Sequence, residues 1–244
     1  MRINVLTMFP HLFETWLTAS ILKRAIDRNL VAISLYNMRD FAQDKHSTLD
    51  DYPYGGGAGM VLKPEPIFKA IEAIKAESTE DEQSIILLTP QGRLLNQSIV
   101  TELSLLKKFT LLCGRYEGID ERVRQHLVND EISIGDYIIS GGELAAMIII
   151  ESVTRLLPGV LGSAESILND SHISGLLGYP QYTRPATFQG WSVPKVLQSG
   201  DHKQIAHWRR EQAILRTYKR RPDLLDKVEL KPDEQQMLKR LKVS

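Results

Sequence analysis

The chain has 244 residues, 43% hydrophobic and 25% charged, with 30 Lys and Arg against 30 Asp and Glu for a formal net charge of +0. That is an ordinary globular mixture, and its balanced charge offers no global attraction to a polyanion. The single cysteine, Cys113, excludes an intrachain disulfide, and no apolar run approaches the roughly 18 residues of a membrane span. The first residues, Met1-Arg2-Ile3-Asn4-Val5-Leu6, enter a strand pattern with no signal-peptide profile, so a cytoplasmic protein is expected, with no membrane partner.

Taken in order, the runs 3–6, 31–35, 85–88, 110–113 and 132–139 are short, β-branched or leucine-rich, and bounded by turn residues; they read as buried strands. Helical spacing falls between them. Leu12, Phe13, Trp16, Leu17, Ile21, Leu22, Ala25 and Ile26 make one stripe, Ile67, Phe68, Ile71 and Ile74 a second, and Val100, Leu103 and Leu106 a third. Strand alternating with helix implies an α/β domain whose parallel sheet is flanked by helices on both faces.

The segment 144–157 has hardly any polar face, so it must be buried on more than one side, either under its own sheet or against a second copy of the chain. Pro158 and Gly159 stop it. Residues 162–174 turn polar and lose periodicity, reading as a linker or mobile loop between a domain over 1–161 and a small helical domain over 175–244. In that second domain Asp201 is placed to cap a helix that Pro222 ends, and Pro232 followed by Asp233 and Glu234 opens a last one. The helix begun at Asp201 carries a local basic cluster, Lys203, Arg209, Arg210, Arg216, Lys219, Arg220 and Arg221, which reads either as a phosphate-binding face or as a plain solvated one.

Three glycine-bearing loops follow strands: Thr89-Pro90-Gln91-Gly92, Gly114-Arg115-Tyr116-Glu117-Gly118, and Gly135 with Ser140-Gly141-Gly142. Ligands of open parallel sheets lie beyond the carboxyl ends of strands, and glycine exposes main-chain groups to a flat ligand. No phosphate-cradling fingerprint follows any strand, so the loops suit a small, flat, phosphate-poor ligand; they also read as simple turn glycines. His46 with Asp44, Asp50 and Asp51 matches no metal-ligand spacing, and no protein-bound metal is expected.

Several longer strings settle which of these readings to pursue. Cys113-Gly114-Arg115-Tyr116-Glu117-Gly118-Ile119-Asp120-Glu121-Arg122, Ser133-Ile134-Gly135-Asp136-Tyr137-Ile138-Ile139-Ser140-Gly141-Gly142-Glu143-Leu144, Asp50-Asp51-Tyr52-Pro53-Tyr54-Gly55-Gly56-Gly57-Ala58-Gly59-Met60 and Tyr182-Thr183-Arg184-Pro185 occur in this order. Together they resemble the bacterial tRNA (guanine-N(1)-)-methyltransferases of the SPOUT class, over essentially the whole chain. The resemblance implies a deep trefoil knot, a small all-helical C-terminal domain, and a homodimer with its active site at the subunit interface. It implies S-adenosylmethionine held by Thr89, Pro90, Gly114, Tyr116, Glu117, Ile134, Gly135, Asp136, Tyr137, Ile138, Ile139, Gly141 and Gly142. Asp170 would be the general base and Arg155 the cation at the guanine oxygen. Asp51, Gly59, Arg184, Arg209 and Arg220 would contact the anticodon arm of tRNA, with Trp208 and Tyr218 nearby, and the modified guanosine would be the one 3′ of the anticodon. Mg²⁺ would act with the RNA or substrate, its ligands not legible.

The chain departs from the family pattern at Gly178, usually acidic, and at Ala145, usually proline. A non-catalytic RNA-binding protein on the same knotted scaffold is the alternative from another class, and a small-molecule methyltransferase or flavodoxin-like enzyme is a third reading.

Overall fold

A computed structural model describes residues 1–77, 84–162 and 170–243. The chain divides into two compact units, Met1–Gly162 and Ser163–Ser244. Residues 163–169 of the expected linker lie outside the described residues.

In the first unit β1 (Arg2–Thr7) leads through α1 (His11–Leu17) and α2 (Ser20–Asp27) to β2 (Ala32–Asn37). A small antiparallel pair, β3 (Asp50–Asp51) and β4 (Val61–Leu62), precedes α3 (Pro64–Ala76). Then come β5 (Ser84–Leu94), α4 (Gln97–Ser104), β6 (Lys108–Cys113), α5 (Glu121–Leu127), β7 (Asp130–Ser133) and α6 (Glu143–Leu156). The strands form one sheet in the order β2-β1-β6-β5-β7, with every neighbour parallel. The expected α/β architecture is therefore present.

Alternation along the strands builds two cores. Ile3, Val5, Ile86, Leu88, Phe109, Leu111 and Cys113 face α1, α2, α4 and α6. Leu6, Ile85, Leu87 and Leu112 face α3 and α5. The central strand β6 is buried along its whole length, as a strand covered on both faces must be. Each fully buried Leu, Ile or Phe on it contributes about 1.5–3 kcal/mol of apolar transfer.

Three local expectations are corrected. The stripe 12–26 is two helices, because the Thr18 hydroxyl bonds the Thr15 carbonyl at 2.7 Å and the chain turns before Ser20. The apolar run 132–139 is a strand only as far as Ser133; beyond it Gly135 adopts φ 155°, and Tyr137 and Ile138 stand 54% and 80% exposed. β5, in turn, runs past the predicted 85–88. Leu88 and Arg93 both pair with Ile132, so residues 89–92 bulge out of the sheet between them.

Helix α6 buries Ala145, Ala146, Ile149, Ile150 and Val153 in its own unit's core. Leu144 and Ile148, one turn apart, remain exposed, so the sheet takes only part of its apolar surface.

The second unit is built on α7 (His202–Arg220) and α8 (Pro232–Val243), around Leu176, Ala213, Ile214 and Leu238. Asp201 caps α7 as expected, accepting from the Lys203 and Gln204 amides at 3.0 and 3.1 Å. Arg210 joins the helices through Glu234 at 2.8 Å, and that contact holds the largely buried carboxyl below the usual carboxylate range. Tyr218 packs against this core. A short hairpin, β8 (Thr187–Phe188) with β9 (Trp191–Ser192), adds an element that helical periodicity did not announce.

The bulge at 89–92 depends on Gly92, since a Cβ there would collide with the backbone of Glu131 and Ile132. Gly92→Ala is expected to cost about 1–3 kcal/mol by overpacking and to lower the melting temperature in a calorimetric scan. An unchanged transition would show that β5 and β7 are not so closely apposed.

Candidate active site

The bulge within β5 and the connections leaving β6 and β7 meet around a cleft of about 450 Å³. Thr89, Pro90 and Gln91 come from the bulge, Gly114, Arg115, Tyr116 and Glu117 from the loop after β6, and Ile134, Gly135, Tyr137, Ile138, Ile139, Gly141 and Gly142 from the loop after β7. Every residue expected on the cofactor therefore lines this one cleft except Asp136. There the Tyr137 amide donates to the Gly135 carbonyl at 2.9 Å, and the tight turn leaves Asp136 exposed and off the wall.

Main chain presses on main chain at the floor. The Gly142 amide donates to the Gly114 carbonyl at 2.8 Å, and Arg115 pairs with Gly141 as an isolated antiparallel bridge. A Cβ on Gly142 would stand 2.8 Å from the Cys113 Cα, closer than real Cβ contacts come. The glycines thus let two loops close together without side chains between them. A concave site of this kind, where glycine backbone meets apolar walls from Leu87, Leu88, Ile134, Ile138 and Ile139 and a rim that includes Arg115, Glu117 and Arg124, suits a small ligand.

Behind the floor lies a charged group that the sequence reading passed over. Glu143, 3% exposed in the first turn of α6, accepts from the Thr7 hydroxyl at 2.9 Å and pairs with the Arg115 guanidinium at 3.5 Å. The same guanidinium lies 4.4 Å from the centre of the Phe9 ring. A buried carboxylate needs such partners, and the helix N-terminus adds favourable amide dipoles. The available signal was an acid directly following Gly-Gly at the start of an apolar helix, where side-chain charge has no solvent face to occupy. Burial first, and the Glu143 charge second, push the Cys113 thiol well above its ordinary range, so it stays a neutral core group.

At the mouth of the cleft the Glu117 amide donates to the Met60 carbonyl at 3.0 Å, and a Cβ at Gly59 would collide with the Glu117 side chain. Gly59 of the expected RNA contacts thereby adjoins the loop after β6. Asp51 is exposed on β3, its carboxylate accepting from the Tyr52 amide at 2.8 Å. Asp44 instead ties its own loop, accepting from the Thr48 amide at 3.1 Å, which chiefly lowers its carboxyl below the ordinary value, and from the His46 amide at 2.9 Å.

Arg155 sits half-buried in the last turn of α6, in the first unit, and Asp170 is exposed near the start of the second. Within the second unit Arg184 and Arg209 line one cleft, while Arg220 is exposed at the end of α7. The Gly178 amide donates to the Ser171 hydroxyl at 2.8 Å, so the residue after Asp170 is held by backbone where the family pattern has an acid. Ala145 lines the same cleft from inside α6, where it is a good helix former.

Glu143→Ala is expected to strand the Thr7 hydroxyl and Arg115 and to destabilise the first unit by about 1–3 kcal/mol. Glu143→Gln, which still accepts from Thr7, should melt closer to the parent in differential scanning fluorimetry. Equal melting of all three would show the network to be idle.

A family model described as tRNA (Guanine-1)-methyltransferase TrmD matches residues 1–227. A tRNA (guanine-N(1)-)-methyltransferase of Dehalococcoides mccartyi (strain CBDB1) is 54% identical over 238 residues, covering 98% of this chain and 96% of that protein. One from Geobacillus kaustophilus (strain HTA426) is 56% identical over 239 residues, with 98% and 97% covered. A third, from Dictyoglomus turgidum, is 51% identical over 242 residues, with 99% and 97% covered. With the family's glycine strings gathered around one cleft and half or more of all positions shared along nearly its whole length, the chain belongs to the tRNA (guanine-N(1)-)-methyltransferase family.

Proposed function

We propose that this protein transfers the methyl group of S-adenosylmethionine to N1 of the guanosine 3′ of the tRNA anticodon, position 37, with Asp170 as general base. The observation that carries the proposal is the cleft floored by Gly114, Gly141 and Gly142, where a Cβ at Gly141 would strike the Glu143 and Arg115 side chains and one at Gly142 the Cys113 backbone, so only glycine lets the two loops close into one floor. The cradle fits the adenosine of the donor. Thr89, Pro90, Gly114, Tyr116, Ile134, Gly135, Tyr137, Ile138, Ile139, Gly141 and Gly142 would hold it through backbone groups and apolar contact, and Glu117 would face its positive end. When bound, the donor supplies an electrophilic methyl carbon on a sulfonium.

Guanine N1 carries a hydrogen, so it becomes nucleophilic only as that proton leaves and charge builds on the neighbouring carbonyl oxygen. Asp170 takes the proton and Arg155 steadies the oxygen with a guanidinium that stays charged throughout. The N1 electron pair then forms the new bond to carbon as the carbon–sulfur bond breaks. Among the described residues no group of three His, Cys, Asp or Glu side chains is arranged to hold a metal ion.

The remaining parts of the proposal concern assembly. The knotted crossing inferred from the family is supported by the Gly142 to Gly114 contact, which seats the loop after β7 against the loop after β6. A homodimer is supported by the exposed Leu144 and Ile148 on α6, with Ile138 exposed on the loop that leads to it. No described helix is long and apolar enough to cross a membrane. A cytoplasmic location follows from the tRNA substrate.

Labelled-methyl incorporation into unmodified tRNA, with nucleotide mapping, tests the reaction: label is expected at N1 of guanosine 37, and label elsewhere or none contradicts it. Asp170→Asn is expected to lower turnover by roughly 10²–10⁴, the usual share of a general base, while titration calorimetry finds donor binding unchanged. An undiminished rate would remove Asp170 from the mechanism. Absence of donor binding by the parent would favour the non-catalytic RNA-binding reading. Ile148→Glu is expected to shift the parent's dimer to monomer in light scattering; a monomeric parent would contradict the assembly.

A further inference from the structure

The glycine floor of the cleft and its apolar walls carry no net charge, so they meet the adenosine of S-adenosylmethionine and that of an adenine nucleotide alike. The two ligands differ in the substituent on the 5′ carbon. One bears a sulfonium and a net positive charge, the other phosphate. Telling them apart therefore falls to the charged side chains of the cleft wall, which are Arg115, Glu117, Glu121, Arg124 and Glu131.

Both arginines are already engaged. Arg115 lies between Glu143, at 3.5 Å, and the Phe9 ring. Arg124, on α5, is committed to two carboxylates at once. Its Nε donates to the two oxygens of Glu121 at 2.9 and 2.8 Å, and its Nη1 donates to Glu131 of β7 at 3.1 Å. The Gln125 amide donates to Glu121 at 3.1 Å and fixes that carboxylate from the next turn. The hydrogen-bonded guanidinium in turn holds the Glu121 carboxyl below the usual carboxylate range, so the pair stays ionised. Glu117 has no ion pair with any described residue. The wall thus shows a ligand one open carboxylate and no open cation.

Tying α5 to the sheet needs only Glu131. Glu121 belongs to the same helix as Arg124, three residues away, and a solvated pair at that spacing adds little to stability. Its effect is on charge: it completes the neutralisation of a guanidinium that would otherwise form charge-assisted bonds with a phosphate in the cleft. We propose that Glu121 and Glu131 are specificity-determining residues, which by occupying Arg124 keep phosphorylated adenosines out of the cleft and reserve it for an adenosine with a cationic 5′ substituent. Glu117 is left to face that positive charge. This assignment rests on the reading of S-adenosylmethionine as the methyl donor. It deepens that reading by naming what the same cleft rejects, and how.

The test is displacement of S-adenosylmethionine from the full-length protein by adenosine and by ADP, followed by titration calorimetry. The ratio of the two apparent Kd values cancels any change in the shared adenosine contacts or in the folded fraction. The parent is expected to bind ADP no more tightly than adenosine. In the double variant Glu121→Gln with Glu131→Gln, ADP should gain about tenfold on adenosine, the scale of one charge-assisted hydrogen bond, and the gain should fade as salt rises. Adding Arg124→Gln to that variant should abolish the gain. Glu121→Gln alone, at a side chain 57% exposed, keeps the test open should the double variant fail to fold, and a smaller gain in the same direction is expected of it. A parent that already prefers ADP to adenosine, or a ratio unmoved in the variants, overturns the assignment and leaves the donor reading standing. If the parent does not bind S-adenosylmethionine at all, the donor reading itself falls.

Discussion

The close seating of residues 141–142 on residues 113–114 is the contact on which the site depends. It needs two glycines on one side and a strand end on the other. With the Gly142 amide bonded to the Gly114 carbonyl at 2.8 Å, the loops after β6 and β7 share one floor, and the 89–92 bulge completes the cleft from the third strand. Each of these approaches fails sterically if a side chain is added at Gly92 or Gly142. The cleft is therefore a property of backbone packing, and its side chains act chiefly as walls and anchors.

A buried carboxylate stands directly behind that floor. Glu143 ties the start of α6 to Thr7 at the end of β1 and to Arg115 after β6, joining three elements at the carboxyl edge of the sheet. A salt bridge in such a place is weak evidence of net stabilisation, since desolvation offsets much of its attraction. Its clearer consequence is geometric: removing one member strands the others, so the three positions are held together. Burial first, with this charge second, pushes the neighbouring Cys113 thiol well above its ordinary range, which suits a residue that serves packing alone.

Much of the fold was legible because it is written locally. The β-branched and leucine-rich runs at 3–6, 85–88 and 110–113 became strands of one parallel sheet, and the stripes at 67–74 and 100–106 mark α3 and α4. Asp201 was visible as a cap because a helix cap needs only a side chain two or three residues from the amides it serves. The run 132–139 misled, since Ile-Gly-Asp-Tyr-Ile-Ile has strand composition, yet Gly135 at φ 155° turns it away from the sheet. Nothing local distinguishes an isoleucine on a strand from one on a cleft-lining loop.

Long-range features were not legible at all. Thr7 and Glu143 lie 136 positions apart, and no spacing pattern reports their bond. The strings that carry the family likeness pointed to the residues of the cleft, while their convergence on one volume emerges only from the sheet order. The most direct measurement is a crystal structure of the protein with S-adenosylmethionine bound. The adenine is expected on the main chain of 114–118 and 134–142 with Thr89 and Pro90 at its side; a donor bound elsewhere, or an empty cleft at saturating donor, would contradict the backbone cradle and the function built on it.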